Sequence, residues 1–209
     1  MYKGVLLGTA TVVGVVALGI TTIGLGGVSF ANSDSRATVR DATGTKVGTV
    51  RFSDKHTRNQ TEVRVQLQFD PTKIATNAFH GMHLHANGDP ANGVGCIADP
   101  TKEPATWFVS ADGHWKADGQ DHGAHYGDVL SVFVNDDGSV DSRYTVSRID
   151  RAGLAGKAIV VHALADNFGN VPVGPEANKY TANSNDAITA TKNTGNAGAR
   201  VACGVIGER

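Results

Sequence analysis

Residues 61–69 read TEVRVQLQF, and they alternate without a break: Val63, Val65, Leu67 and Phe69 on one face of an extended chain, Arg64, Gln66 and Gln68 on the other. That is the pattern of a strand with one side in a core and one in water, because successive side chains of a strand point to opposite faces. A helix would scatter the same residues around its circumference. The reading extends outward from there. Leu130, Val132 and Val134 predict a second apolar stripe, Asn135-Asp136-Asp137-Gly138 supplies turn chemistry, and Val140 to Val146 predicts the returning strand of a hairpin. KAIVVHA, residues 157–163, predicts another strand. From about Ala37 the chain is a series of short alternating segments separated by Gly, Asn and Asp, with no long helical period and no fixed-period repeat. The expected fold class is therefore all-β, a single antiparallel sandwich or barrel. Two long Gly- and Asn-rich stretches, about Ala86 to Gly127 and Ala165 to Ala199, interrupt the strands, and function is expected on those loops.

Before this domain lies a different kind of text. No charged residue occurs between Lys3 and Asp34, and the run ends in the small-x-small tripeptide Ser29-Phe30-Ala31. Residues 1–32 are read as a signal peptide or an N-terminal membrane anchor, and 33–209 as the folded domain. The leader has no Cys to accept a lipid, so any tether would be the segment itself. Either way the domain is expected to be exported: extracellular, periplasmic or associated with the cell envelope.

The chain has 209 residues, 40% of them hydrophobic, and a formal net charge of −1. No run of like charges occurs in the sequence, so nucleic acid is not an expected partner. Neither a Gly-x-Ser-x-Gly elbow nor a phosphate-cradling Gly-Lys-Ser/Thr loop is present, so hydrolase and nucleotide-binding readings lack support. The only cysteines are Cys96 and Cys203. In an oxidising compartment an isolated pair is most simply a disulfide, the alternative being two buried thiols.

The histidines carry the chemistry. His83 and His85 stand two apart, so on a strand both project from one face and can reach one ion, while Leu84 points the other way. HWKADGQDHGAHYGD gathers His114, His122, His125 and Asp128 in one loop, three imidazoles and a carboxylate suited to tetrahedral zinc. His162 closes the apolar segment VVH and can complete a site begun by the first pair. His56 is expected to be a solvated surface residue, and His80, at odd spacing from His83, to hydrogen-bond the backbone away from the metal. Trp107 and Trp115 are expected to pack the loops.

Four segments, HGMHLHANGD, HGAHYGD, VVHALADNFG and GNAGARVACGVIG, resemble in order the signature segments of the copper/zinc superoxide dismutases, and the resemblance covers most of Val39 to Gly207. It implies a Greek-key antiparallel β-sandwich or barrel with two long functional loops. It implies copper held by His83, His85, His114 and His162, with His114 bridging to a zinc completed by His122, His125 and Asp128. It also implies a supporting role for Asp166, linking His83 to His122, and a guanidinium, Arg200, that docks superoxide. Lys179 and Lys192 are candidates for an attractive local field, against the plainer reading of solvated loop charges. A homodimer is left open, since pairing surfaces vary in this family.

The sequence departs from the family pattern in three places. His122, His125 and Asp128 are evenly spaced by three, a shortened zinc loop of a kind that some copper-only members share. Lys116-Ala117-Asp118 replaces a proline usual after the bridging histidine. The loop from His162 to Arg200 is longer than usual, with Tyr180 and a polar insert, Asn183 to Asp186, that has no assigned role. A noncatalytic copper- or zinc-binding envelope protein is the competing reading, and it has no need of Arg200 or of a bridging histidine.

Overall fold

The structure is a computed structural model, and it describes residues 34–55, 60–149, 151–171, 174–175, 181 and 184–207. The segment read as a signal peptide or anchor, residues 1–32, and His56, Lys179, Tyr180 and Asn183 lie outside the described residues. Among the described residues no helix is long and apolar enough to cross a membrane.

Among the described residues nine strands follow one another: β1 (Ser35–Asp41), β2 (Lys46–Lys55), β3 (Gln60–Gln68), β4 (Ala78–His80), β5 (Met82–His85), β6 (Val132–Val134), β7 (Ser139–Val146), β8 (Ala158–His162) and β9 (Arg200–Gly207). Seven form one sheet in the order β5-β8-β9-β1-β2-β3-β7, and β4 pairs with β6. Every pairing is antiparallel. After the β1-β2-β3 meander the chain crosses to lay β5 at the far end of the sheet, returns to set β7 beside β3, and crosses again to β8. These crossings are the Greek-key element of an all-β fold.

The alternation of TEVRVQLQF is realised as read. Val63, Val65, Leu67 and Phe69 are buried, in one cluster with Val39, Val50, Phe52, Leu84, Ile159 and Ile206. The turn after β6 forms as expected, with the Gly138 amide donating to the Asn135 carbonyl. Glycine is required at 138: φ is +82°, and a Cβ there would sit 2.3 Å from the Phe69 carbonyl oxygen.

Two expectations need correction. Leu130 does not continue the buried stripe of Val132 and Val134; it is 53% exposed, and Val129 is buried instead. The strand begins only at Val132, so two-residue periodicity does not extend back to Leu130. The second loop also contains a helix that hydrophobic periodicity did not reveal, α1 (Asn185–Thr194), capped by Ser184 and ended by Gly195 at φ +59°. Its buried residues are Ala187 and Thr191 alone, too narrow and too polar a stripe to register as an amphipathic period. Asp186, in the unassigned insert, occupies its first turn, where a carboxylate suits the helix dipole.

Candidate metal centre

β5 is an edge strand of the large sheet, so one side of its backbone needs partners from elsewhere. The first long loop supplies them. Leu84 N–H donates to Gly127 O at 2.8 Å, Trp115 N–H to Leu84 O at 2.8 Å, and Ala86 N–H to Gly113 O at 2.9 Å. The resulting bridges pair His85 with His114 and His83 with Asp128. Satisfying a strand edge thus brings the loop's candidate donors beside those of the strand. His162 enters from β8, which pairs with β5 on its other side.

These placements yield two donor groups that share His114: His83, His85, His114 and His162 in one, His114, His122, His125 and Asp128 in the other. The six imidazoles are buried. Outward hydrogen bonds decide which ring nitrogen of each is free. His83 Nε2 and His122 Nε2 donate to the Asp166 carboxylate at 2.7 and 2.9 Å. His85 Nδ1 donates to Asp112 O at 2.8 Å, His162 Nδ1 to Gly198 O at 3.1 Å, and His125 Nε2 to Gln120 O at 3.1 Å. A ring that donates from one nitrogen presents a lone pair at the other. The bare atoms are His83 Nδ1, His85 Nε2, His162 Nε2 and His122 Nδ1, buried with no hydrogen-bond partner. His114 is different: Nε2 is buried and partnerless, and Nδ1 faces His125 Nδ1 at 3.2 Å and Asp128 Oδ1 at 3.1 Å.

Buried, unpartnered nitrogens that converge are costly unless an ion meets them, so the donor sets fit cations. In the second group Asp128 Oδ1 lies 3.1 Å from His122 Nδ1 and 3.2 Å from His125 Nδ1. Ligand bonds of about 2.0 Å in a tetrahedron place donors about 3.3 Å apart, so these spacings suit zinc despite the shortened loop. Asp128 Oδ2 is held by the amides of Gly123 and His125, which turns Oδ1 toward the imidazoles.

Burial pushes His85 and His162 well below the ordinary imidazole range and His114 down to about 3. Burial also opposes charge on His122, but Asp128 and Asp166 outweigh it and carry that ring up to about 9. Desolvation favours the neutral acid at both carboxylates, but His114 and His122 hold Asp128, and His122 and His83 hold Asp166, far below the usual range. A stability prediction for the metal-free protein follows. Below the unfolded imidazole value of 6.5, the unfolded chain takes protons that His85, His114 and His162 refuse in the fold, so stability falls with pH. His122 has the opposite sign: its contribution is full below 6.5 and is lost as pH rises through about 9. With four depressed rings, His125 among them, against one raised, the metal-free thermal midpoint should drop between about pH 7 and about pH 5. A midpoint that rises over this interval would contradict neutral rings in the fold.

Arg200 opens β9 opposite His162. Its guanidinium donates to Phe108 O and, at 2.5 Å, to Asp112 O, the carbonyl that also orients His85. Phe108 and Asp112 both have positive φ, 55° and 64°, which aims the two carbonyls at Arg200 from either end of the turn Val109–Ala111. The Asp112 carboxylate holds that conformation by accepting from the amides of Gly88 and Asp89 and from Asn92 Nδ2. Sequence reading missed Asp112 and Gln120, which act mainly through backbone carbonyls. Asp112-Gly113 is a turn signal, but a turn signal does not say what its carbonyl meets.

The Cys96–Cys203 disulfide is formed, with a Cα–Cα distance of 5.6 Å. His80 is buried and spans Ala75 O and His162 O, away from the donor clusters. Trp107 donates to Asp99 O within the loop, and Trp115 packs against the core. Lys192 Nζ lies 3.2 Å from an Asp121 carboxylate oxygen, so its charge is shared with an acid.

The end of α1 presses on Asp166. A Cβ on Gly195 would lie 2.1 Å from Asp166 Oδ1 and 2.6 Å from His122 Nε2. Gly195→Ala should therefore displace the carboxylate that orients two rings and weaken metal retention by about 10- to 100-fold, measured by competition with a chelator. Unchanged retention would show that Asp166 is dispensable.

Residues 46–206 match the copper/zinc superoxide dismutase (SODC) family model. Over 169 residues the chain is 34% identical to a Cu-Zn superoxide dismutase of Mycolicibacterium paratuberculosis, covering 78% of this chain and 70% of the relative. It is 32% identical over 169 residues to an extracellular Cu-Zn superoxide dismutase of Drosophila melanogaster, covering 77% and 75%. A crystal structure of a double mutant of a SOD-like protein from Bacillus subtilis shares the fold, with TM-score 0.54 and 21% identity over 81% of this chain and 94% of that one. The chain belongs to the copper/zinc superoxide dismutase family, whose two metals suit its paired donor clusters.

Proposed function

We propose that the protein disproportionates superoxide at a copper ion held by His83, His85, His114 and His162, next to a zinc ion held by His114, His122, His125 and Asp128. The observation that carries this is the position of His114, the one histidine among the described residues that belongs to both four-member donor clusters, with Nδ1 beside Asp128 and Nε2 buried without a partner. A copper ion so held would supply the one-electron redox chemistry by which two superoxide anions and two protons become oxygen and hydrogen peroxide.

The chain's own residues do the rest. Arg200, fixed by two carbonyls, presents a positive charge beside His85 and His162 and draws the small anion in. Its charge persists despite burial, because a guanidinium does not deprotonate in proteins. His114 Nε2 can take and release a proton while Nδ1 stays held among His125 and Asp128. Asp166 engages the Nε2 atoms of His83 and His122, which leaves the Nδ1 of each ring to its own donor cluster.

Residues 1–32 would direct export, as a cleaved signal or a retained anchor, consistent with a disulfide in the mature domain. N-terminal sequencing of exported protein separates the two: a start near Ala31 means cleavage, an intact Met1 an anchor.

Metal analysis beside a superoxide-consumption assay tests the activity. Copper-loaded protein without dismutase activity would reject the enzyme, and full activity without zinc after zinc supplementation would place it among copper-only members. Arg200→Ala should keep both metals and lower kcat/KM by about tenfold or more. An unchanged kcat/KM would remove Arg200 from substrate capture.

A further inference from the structure

The outer face of the large sheet carries a row of arginines that the linear sequence disperses. Strand register sets Arg36 of β1 opposite Arg51 of β2, Arg51 opposite Arg64 of β3, and Arg64 opposite Arg143 of β7. Residues directly opposite share a face, and the neighbours Ala37, Val50 and Val65 are buried on the other side, so this row faces outward. With strands about 4.8 Å apart, the four positions form a file about 14 Å long and one side chain wide. At its β1 end the row meets Gly207 of β9, where an added Cβ would have nothing within 4 Å.

Like charges directly opposite one another destabilise a sheet, and this sheet stacks four. Internal compensation is partial. Arg64 pairs with Asp141 at 3.3 Å and Arg143 with Glu62 at 2.7 Å, but Lys55 also claims Glu62 at 2.6 Å. No ion pair or hydrogen bond is made by the guanidinium of Arg36 or Arg51 among the described residues, and Arg36 Nε is buried without a partner. Five cations against two carboxylates leave a positive file on a chain whose net charge is −1.

We propose that this row binds a linear polymer of phosphate esters that carries no bases, such as a sugar- or polyol-phosphate chain met outside the membrane. Guanidinium forks match phosphate oxygens bidentately, and a single extended chain can lie along the file and meet each arginine in turn. The flanking rows argue against a flat anionic bilayer, because Asp141 and Glu62 stand on either side of the arginines and would face its headgroups. They also argue against nucleic acid: Thr49, Gln66, Ser53 and Thr145, the neutral neighbours in register, offer no aromatic ring for base stacking.

Titration of the full mature protein with long-chain inorganic polyphosphate tests this, with single-stranded DNA and anionic phospholipid vesicles as the other arms. Saturable binding to polyphosphate is expected, with log K falling against log salt at a slope of about −3, as four phosphates on a flexible chain predict. Arg51→Gln should weaken it about tenfold and Arg51→Gln with Arg64→Gln about a hundredfold, while Lys73→Gln, off the row, leaves it unchanged. Both arginine variants should keep full superoxide consumption, and without polyanion Arg51→Gln, which breaks no ion pair, should raise the thermal midpoint, because a like-charge contact is relieved. Absence of binding, insensitivity to Arg51, or a lowered midpoint would overturn the proposal. Equal or tighter arginine-dependent binding to DNA or to vesicles would overturn it too.

Discussion

His114→Ala should reduce superoxide consumption by about 10²- to 10⁴-fold, the range associated with losing a positioned proton-transfer group, and should release zinc as well. The double effect follows from where the ring sits. Each of the other five imidazoles spends one nitrogen on a carbonyl or on Asp166, so removing one of them withdraws a single donor from a single cluster. His114 contributes a nitrogen to both. Metal analysis and the activity assay on the same preparation separate the contributions. A variant that keeps both metals and at least a tenth of the activity would show that the clusters work independently, and the shared-histidine mechanism would fall.

Cys203→Ser is expected to be the most destabilising single change. The disulfide spans 107 residues and ties the first long loop to β9. Closing a loop of that length restricts the unfolded chain by about 4 to 5 kcal/mol in the chain-entropy model. For a domain of this size that is a fall in thermal midpoint of roughly 10 to 20 °C. Activity should fall beyond the unfolded fraction, because the stapled loop provides the Phe108 and Asp112 carbonyls that hold Arg200, three residues before Cys203. Denaturant unfolding and kcat/KM of the folded protein at low temperature check the two parts. Unaltered kcat/KM would mean that backbone bonds such as Phe108 N–H to Ile97 O hold the loop without the staple.

The strands that alternate, the hairpin turn after β6 and the HLH pair were legible in sequence, because each depends on residues within a few positions of one another. Leu130 was misjudged for the converse reason: an apolar residue two positions before a strand reads like part of it until pairing shows where the strand begins. α1 escaped because its two buried residues, Ala187 and Thr191, mark no apolar stripe, although Ser184 and Gly195 are ordinary cap residues.

Local spacing alone determined the strand pattern, the close-set histidines and the chemistry their donor types can perform, since side-chain direction in a strand follows from position parity. Which nitrogen of each ring is bare was decided only by the tertiary structure, because Asp166, Asp112, Gly198 and Gln120 come from separate segments of the loops. So too was the arginine row. Residues 36, 51, 64 and 143 are remote in sequence, and cross-strand register, set by the packing of the opposite, apolar face, makes them neighbours.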